Sequence, residues 1–263
     1  MSAAPIGIFD SGVGGLSVFR EIRAALPSES IYYVADSANA PWGDKPREFV
    51  RDRGLSIGRF LVDQGVKAVV IGSNTGTAGS AEALREALTI PVIAMEPGIK
   101  PAAAATKSRV VGAIVTTTMN GSDRWASLLE RFGGDVEIIS QPVPGLVEHV
   151  EAGDLDSPEL RRMVEGYIRP LLDAGADTVV LGSTHYVFLK PLISEIAGAN
   201  VTLIDTGEAV ARQLARVLGE HHMLAEAGTQ AGERFWTSGD VAESTRVISS
   251  LLGRKVSVDR LPV

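Results

Sequence analysis

Two short polar clusters set 110 positions apart, Ser73-Asn74-Thr75 and Ser183-Thr184-His185, are the residues of this chain best placed to do chemistry. Each follows the same lead-in: residues 61–75 read LVDQGVKAVVIGSNT and residues 171–185 read LLDAGADTVVLGSTH, with seven of fifteen positions identical. The pattern is a helix end, a turn glycine (Gly65, Gly175), an apolar strand, then Gly-Ser and polar side chains. Open α/β sheets bind ligands outside the carboxyl ends of their strands, so the repeat delivers two similar hydroxyl-bearing clusters to two equivalent places. One small ligand gripped from both faces is the arrangement this implies. A blander reading stands beside it, since Ser, Asn and Thr are good helix N-caps and either cluster alone could simply start the next helix. His185 adds an acid–base group to the second cluster.

Three further features carry polar side chains. The first strand ends in Asp10-Ser11-Gly12-Val13-Gly14-Gly15-Leu16-Ser17, a glycine turn into a helix. Such turns bind anions on free N–H groups, and Asp36 lies where a ribose-binding acid would follow. Ser17 replaces the third glycine of that fingerprint, however, and Asp10 would repel a pyrophosphate. The turn therefore suits a carboxylate-handling role for Asp10 better than a nucleotide. The second turn, 35–43, closes in Pro41-Trp42-Gly43 and reads either as a pocket cap or as a plain surface loop. Glu148 and Glu151 sit three apart on a helix-like stretch, where most glutamates are solvated.

The bulk numbers narrow the field. With 263 residues, 45% hydrophobic and 22% charged, the chain suits one large or two modest soluble domains. A net charge of −7 without basic runs speaks against nucleic acid. Neither a membrane span nor a signal peptide is recognisable. The chain has no cysteine, which excludes disulfides and thiol chemistry together. The four histidines form no zinc pattern, and His221-His222 read as exposed surface. Apolar strand candidates at 6–9, 31–34, 68–71, 92–94, 109–115, 136–140, 178–181 and 202–204 alternate with helical spacing over 16–26, 46–64, 78–87, 123–132, 157–174, 187–196 and 208–218. That alternation predicts mainly parallel sheets covered by helices. Residues 96–108, with two prolines, read as a crossover between domains. A second crossover falls near Asp205-Thr206-Gly207, and 234–239 with the helix after it returns to the first domain. The division is 1–98 plus 207–263 against 99–206.

DSGVGGLSV, DSANAPWGDK, GSNT, EPGIKPA, LGSTHY and the late SGD occur in that order over nearly the whole chain, and together they resemble the glutamate racemases of the cofactor-independent amino-acid racemase superfamily. The resemblance implies two pseudo-symmetric α/β domains with the ligand in a cleft between them. It implies interconversion of L- and D-glutamate for peptidoglycan synthesis, in the cytoplasm, with no cofactor and no metal. The family's two cysteines fall on Ser73 and Ser183. The resemblance assigns Asp10 and His185 as their assisting groups, with Asp36 and Glu151 as further acids of the catalytic set. Ser11, Asn74, Thr75, Thr184 and the loop Pro41-Trp42-Gly43 take the ligand-binding places. Further departures stand at Gly72, Gly76, Met119 and Val187. The partner implied is a small amino acid or dicarboxylate, with neither nucleic acid nor membrane, and a homodimer is left open. Because serine is a far weaker acid than cysteine, two readings remain: a racemase of reduced activity, and a diverged or inactive homologue that keeps the pocket. Engineered and natural origins of the two serines both stand.

Overall fold

The computed structural model describes residues 3–263. In chain order, β1 (Ile6–Asp10), α1 (Leu16–Ala25), β2 (Ile31–Ala35), α2 (Arg47–Asp63), β3 (Ala68–Ile71), α3 (Asn74–Ala87) and β4 (Val92–Ile93) come first. Then follow α4 (Ile99–Ala105), β5 (Val110–Val115), α5 (Thr117–Asn120), α6 (Asp123–Gly133), β6 (Glu137–Pro142), α7 (Leu146–Glu151), α8 (Pro158–Asp173), β7 (Thr178–Leu181), α9 (Lys190–Ala197) and β8 (Thr202–Ile204). The chain ends with α10 (Gly207–Glu220), β9 (Glu233–Thr237), α11 (Val241–Leu252) and β10 (Val258–Arg260). It forms two compact units, one running to Glu96 and resuming at Thr206, the other spanning Pro97–Asp205.

The first unit is a six-stranded sheet in the order β10-β9-β2-β1-β3-β4, and the second a four-stranded sheet in the order β6-β5-β7-β8. Every pairing is parallel. Within each unit the first four strands follow the same order, second-first-third-fourth, so the sequence repeat is also a topological one. β3 and β7 are buried at all four positions, and each buried Val, Leu or Ile there contributes about 1.5–3 kcal/mol. The helices before them end alike. Gly65 (φ +81°) and Gly175 (φ +90°) turn the chain left-handed. The following amides, of Val66 and Ala176, reach back to the carbonyls of Leu61 and Leu171, closing the helix and aiming the chain into the strand. Around the first sheet the core gathers Phe9, Val34, Trp42, Ile57, Leu61 and Leu84. In the second unit Ile99, Val111, Trp125 and Val180 do the same. No helix among the described residues is long and apolar enough to cross a membrane.

Several expectations are corrected. Residues 99–105 are a helix, not a bare crossover, and Ile99 and Ala102 are fully buried. Pro101 is tolerated because it lies in the first turn, where its missing N–H would have no partner. The strand expected from Arg109 begins at Val110, because Arg109 is left-handed (φ +65°). The helix expected over 187–196 is a 3-10 turn, His185–Leu189, followed by α9 with Pro191 in its first turn. Helix α3 begins at Asn74, four residues earlier than its apolar spacing suggests, because Ser73 caps it. The last strand, β10, has three residues with only Val258 buried, too short for an apolar run to mark it in the sequence. Met119 packs its side chain against the core of the second unit.

The glycine ending each repeated strand differs in its surroundings. A Cβ on Gly182 would lie 2.6 Å from the Ile114 carbonyl oxygen and 2.8 Å from a Val115 methyl. On Gly72 the nearest atoms would be 3.3 Å away. Gly182→Ala is therefore expected to cost about 2–3 kcal/mol through overpacking and Gly72→Ala less than about 1 kcal/mol, a difference read from urea midpoints.

Candidate functional site

In the first unit, β1 delivers Asp10 and β3 delivers Ser73 to neighbouring strand ends. Phe9 pairs with Ile71, and the Gly72 amide continues the ladder to the Phe9 carbonyl at 2.8 Å. Asp10 is buried. One of its oxygens accepts the Ser11 amide at 2.7 Å and the other the Gly15 amide at 2.6 Å. The Ser11 hydroxyl lies 3.3 Å from the same carboxylate, and the Tyr33 hydroxyl donates to the Gly12 carbonyl at 2.7 Å. The glycine turn thus wraps around its own carboxylate, with N–H groups spent on Asp10 that a pyrophosphate would need. That geometry argues against a nucleotide at this turn. Ser73 caps α3, its Oγ accepting the Gly76 amide at 3.1 Å. Ser11, Ser73 and Asn74 are buried and Thr75 half-buried.

Asp36 is held differently. The Trp42 indole N–H (3.0 Å) and Arg53 Nε (3.1 Å) donate to one oxygen, Asn39 (3.0 Å) and Arg53 Nη2 (2.5 Å) to the other. Asp36 is wholly buried and Arg53 half-buried. With four donors around two oxygens the carboxylate is filled, which suits anchoring the 36–42 loop to α2 rather than carrying a proton. Trp42 is a core residue in contact with Phe9, so its ring serves packing, and only half-buried Pro41 and Gly43 flank it at the surface. Arg53, seventeen residues from Asp36, had no sequence signal at all. Arg53→Ala leaves an uncompensated buried charge and is expected to lower stability by about 3 kcal/mol, measured as a shift of the urea midpoint.

The second unit brings three expected residues into one chain of hydrogen bonds. Ser183 Oγ lies 3.3 Å from His185 Nδ1, and His185 Nε2 lies 2.6 Å from a Glu151 carboxylate oxygen. His185 and Thr184 are buried, while Ser183 and Glu151 are half-buried. An ionised carboxylate only accepts, so Nε2 carries a proton, and in the neutral imidazole the Nδ1 lone pair faces the serine hydroxyl. Ser183 follows Gly182, whose amide donates to the Ile114 carbonyl at 2.9 Å, as Gly72 does to Phe9. By that register the counterpart of Asp10 is Val115, which is apolar. The two repeats therefore supply equivalent serines but take their ionisable partners from different places. Glu148, the other acid of its pair, is exposed. Next to His185, the phenol of Tyr186 is fully buried, which pushes its pKa far up, with the charge of Glu148 adding to the effect.

Helix α7, which carries Glu151, is pinned at its end. Asp154 accepts from His149 Nδ1 at 2.7 Å and from the Ser157 hydroxyl at 2.6 Å, and its amide returns to the His149 carbonyl. The Ser157 hydroxyl first, then the backbone of Ser157, His149 and the Asp156 amide, outweigh burial and lower the Asp154 pKa to about 2. A carboxyl depressed in the folded state contributes stability above its unfolded pKa, about 3.9, and loses it as pH falls through the folded value. Asp154→Asn should therefore flatten the fall in thermal midpoint between about pH 4 and pH 2, in a scan against the unaltered protein.

Parallel sheets wound with the same strand order, each ending in a Gly-Ser turn backed by acid–base residues, define a class of α/β proteins that handle small polar ligands at strand ends. The chain belongs to the Asp/Glu/Hydantoin racemase family, whose sequence pattern matches residues 6–214. It is 52% identical to a glutamate racemase of Ectopseudomonas mendocina, over 98% of each chain. The structure of a glutamate racemase isoform from Bacillus anthracis superposes with a TM-score of 0.88 at 33% identity, covering 100% of this chain and 99% of that one. That of Escherichia coli glutamate racemase, in complex with L-glutamate and the activator UDP-MurNAc-ala, gives 0.87 at 29% identity and 98% coverage of both.

Proposed function

We propose that this chain binds glutamate and exchanges its α-proton without a cofactor, interconverting the enantiomers slowly because serines stand where the family has cysteines. Full-length identity to glutamate racemases supports the substrate, as does the L-glutamate bound to the Escherichia coli relative. The observation that carries the reading is the Ser183–His185–Glu151 chain, a hydroxyl backed by a correctly tautomerised base. In this reading Ser73 and Ser183 are the groups that give and take the proton. Asp10 and His185 assist them, Glu151 holds the imidazole, and Asp36 fixes the loop 41–43. Ser11, Asn74, Thr75 and Thr184 contribute hydroxyl, amide and backbone donors to the ligand's carboxylates. Supply of D-glutamate for peptidoglycan, in the cytoplasm, is the role that follows.

The serines set the rate. A cysteine thiol titrates near pH 8.5, within reach of a neighbouring base. A serine hydroxyl cannot persist as an alkoxide and must hand its proton to the base as it takes the substrate's. His185 meets that need for Ser183. Ser73 Oγ accepts the Gly76 amide, a bond that leaves its hydroxyl proton available for donation. Ser73→Cys with Ser183→Cys is expected to raise racemisation by about 10²-fold or more, since positioned acid–base groups contribute that much. Each single change should give mainly α-proton exchange with solvent, the two acting as a unit. Proton NMR of L- and D-glutamate in D₂O reads both. A folded double variant that binds glutamate yet shows no exchange overturns the reading.

A further inference from the structure

We propose that Ser183 is also a nucleophile toward activated acyl donors, giving this chain a serine-esterase activity built within the second unit. The Glu151 carboxylate fixes the proton on His185 Nε2, at 2.6 Å, and leaves Nδ1 as an acceptor 3.3 Å from Ser183 Oγ. This is the arrangement of a hydroxyl nucleophile, its general base and the base's orienting acid, which is recognised by roles and geometry rather than by sequence order. His185 is buried and its ring is held at both nitrogens, while Ser183 is open enough for a small reagent to reach. Gly182, which has no room for a side chain, follows β7 directly, and the chain bends at Ser183 before the 3-10 turn. Exposing a nucleophile on a tight strand-to-helix turn is a recurrent use of such an exit. Both hydroxyls accept a backbone amide, Ser73 from Gly76 and Ser183 from His185, but Ser73 lacks the adjacent imidazole, because Thr75 stands where the second repeat has His185.

The substrate class is small esters with a good leaving group, such as aryl acetates, whose departing phenolate needs no proton. Ser183 Oγ adds to the acyl carbon as its proton passes to His185 Nδ1, and the imidazolium is held by Glu151. The bond from the acyl carbon to the aryl oxygen then breaks and the phenolate leaves. The imidazolium then gives its proton to solvent water. A second water passes a proton to the restored Nδ1 as it attacks the acyl-serine, and His185 hands that proton to Ser183 Oγ as the carboxylic acid leaves.

The full chain is treated with a fluorophosphonate, which forms a serine–phosphorus bond and expels fluoride, and separately with p-nitrophenyl acetate. The expected result is one phosphonyl adduct per chain, mapped by peptide mass spectrometry to Ser183, and an initial burst of p-nitrophenol. Ser183→Ala should abolish both. His185→Gln and Glu151→Gln should each slow labelling at least tenfold, at the low end of acid–base contributions. In Glu151→Gln the residual rate should reach its plateau at lower pH, because the imidazolium loses its partner. Absence of a Ser183 adduct from protein folded by circular dichroism overturns the proposal, as does a Glu151→Gln variant with unchanged rate and pH profile. Neither outcome bears on α-proton exchange from glutamate, which tests the racemase reading separately.

Discussion

The carbonyls of Phe9 and Ile114 each accept the amide of the glycine that leaves the adjacent strand, and the placement of both serines depends on that bond. It sets the last rung of the parallel ladder between β1 and β3, and again between β5 and β7. One residue of slippage would turn every strand side chain to the opposite face and shift each serine along its strand end. Strands buried on both faces do not choose a register by pattern alone, so the glycine amide bonds at the last rung fix the chemistry at the strand ends.

From that shared frame the two units diverge. In the first, an acid at the end of the central strand folds the glycine turn around itself. In the second the corresponding position is Val115, and the acid–base partners come from the 3-10 turn and from α7. Symmetry of topology has been kept while symmetry of titratable groups has not. The two serines consequently differ in kind: Ser183 faces a base, whereas Ser73 is engaged as a helix cap.

Much of the frame is legible in the sequence because it rests on local rules. AVVI and TVVL can only be covered strands, and the left-handed glycines that precede them are visible as Gly65 and Gly175. Elements that depend on tertiary context were harder to read. Helix α4 hides behind prolines that usually break helices, and only its place in the first turn makes Pro101 harmless. Trp42 sits in a polar loop yet fills a core, since its indole N–H finds Asp36. Arg53 is one arginine of many on α2 until the carboxylate it neutralises is seen. Glu151 cannot be told from Glu148 by spacing. Resemblance, not periodicity, singled it out, and the His185 contact gives the physical reason.

The order in which the sheet of the first unit is assembled has a consequence for synthesis. β2 is flanked on one side by β1 and on the other by β9, which lies two hundred residues further along the chain. A chain emerging from its N-terminus has β1–β4 available early, and then the whole of the second unit as one uninterrupted segment. That inserted unit can close before its host does. Until Glu233–Thr237 emerge, β2 is an open edge with unpaired N–H and C=O groups, the kind of surface that other strands adhere to. The host is sealed from its outer side inward by its own carboxyl end, so a chain stopped short of β9 would hold a finished guest inside an unfinished sheet.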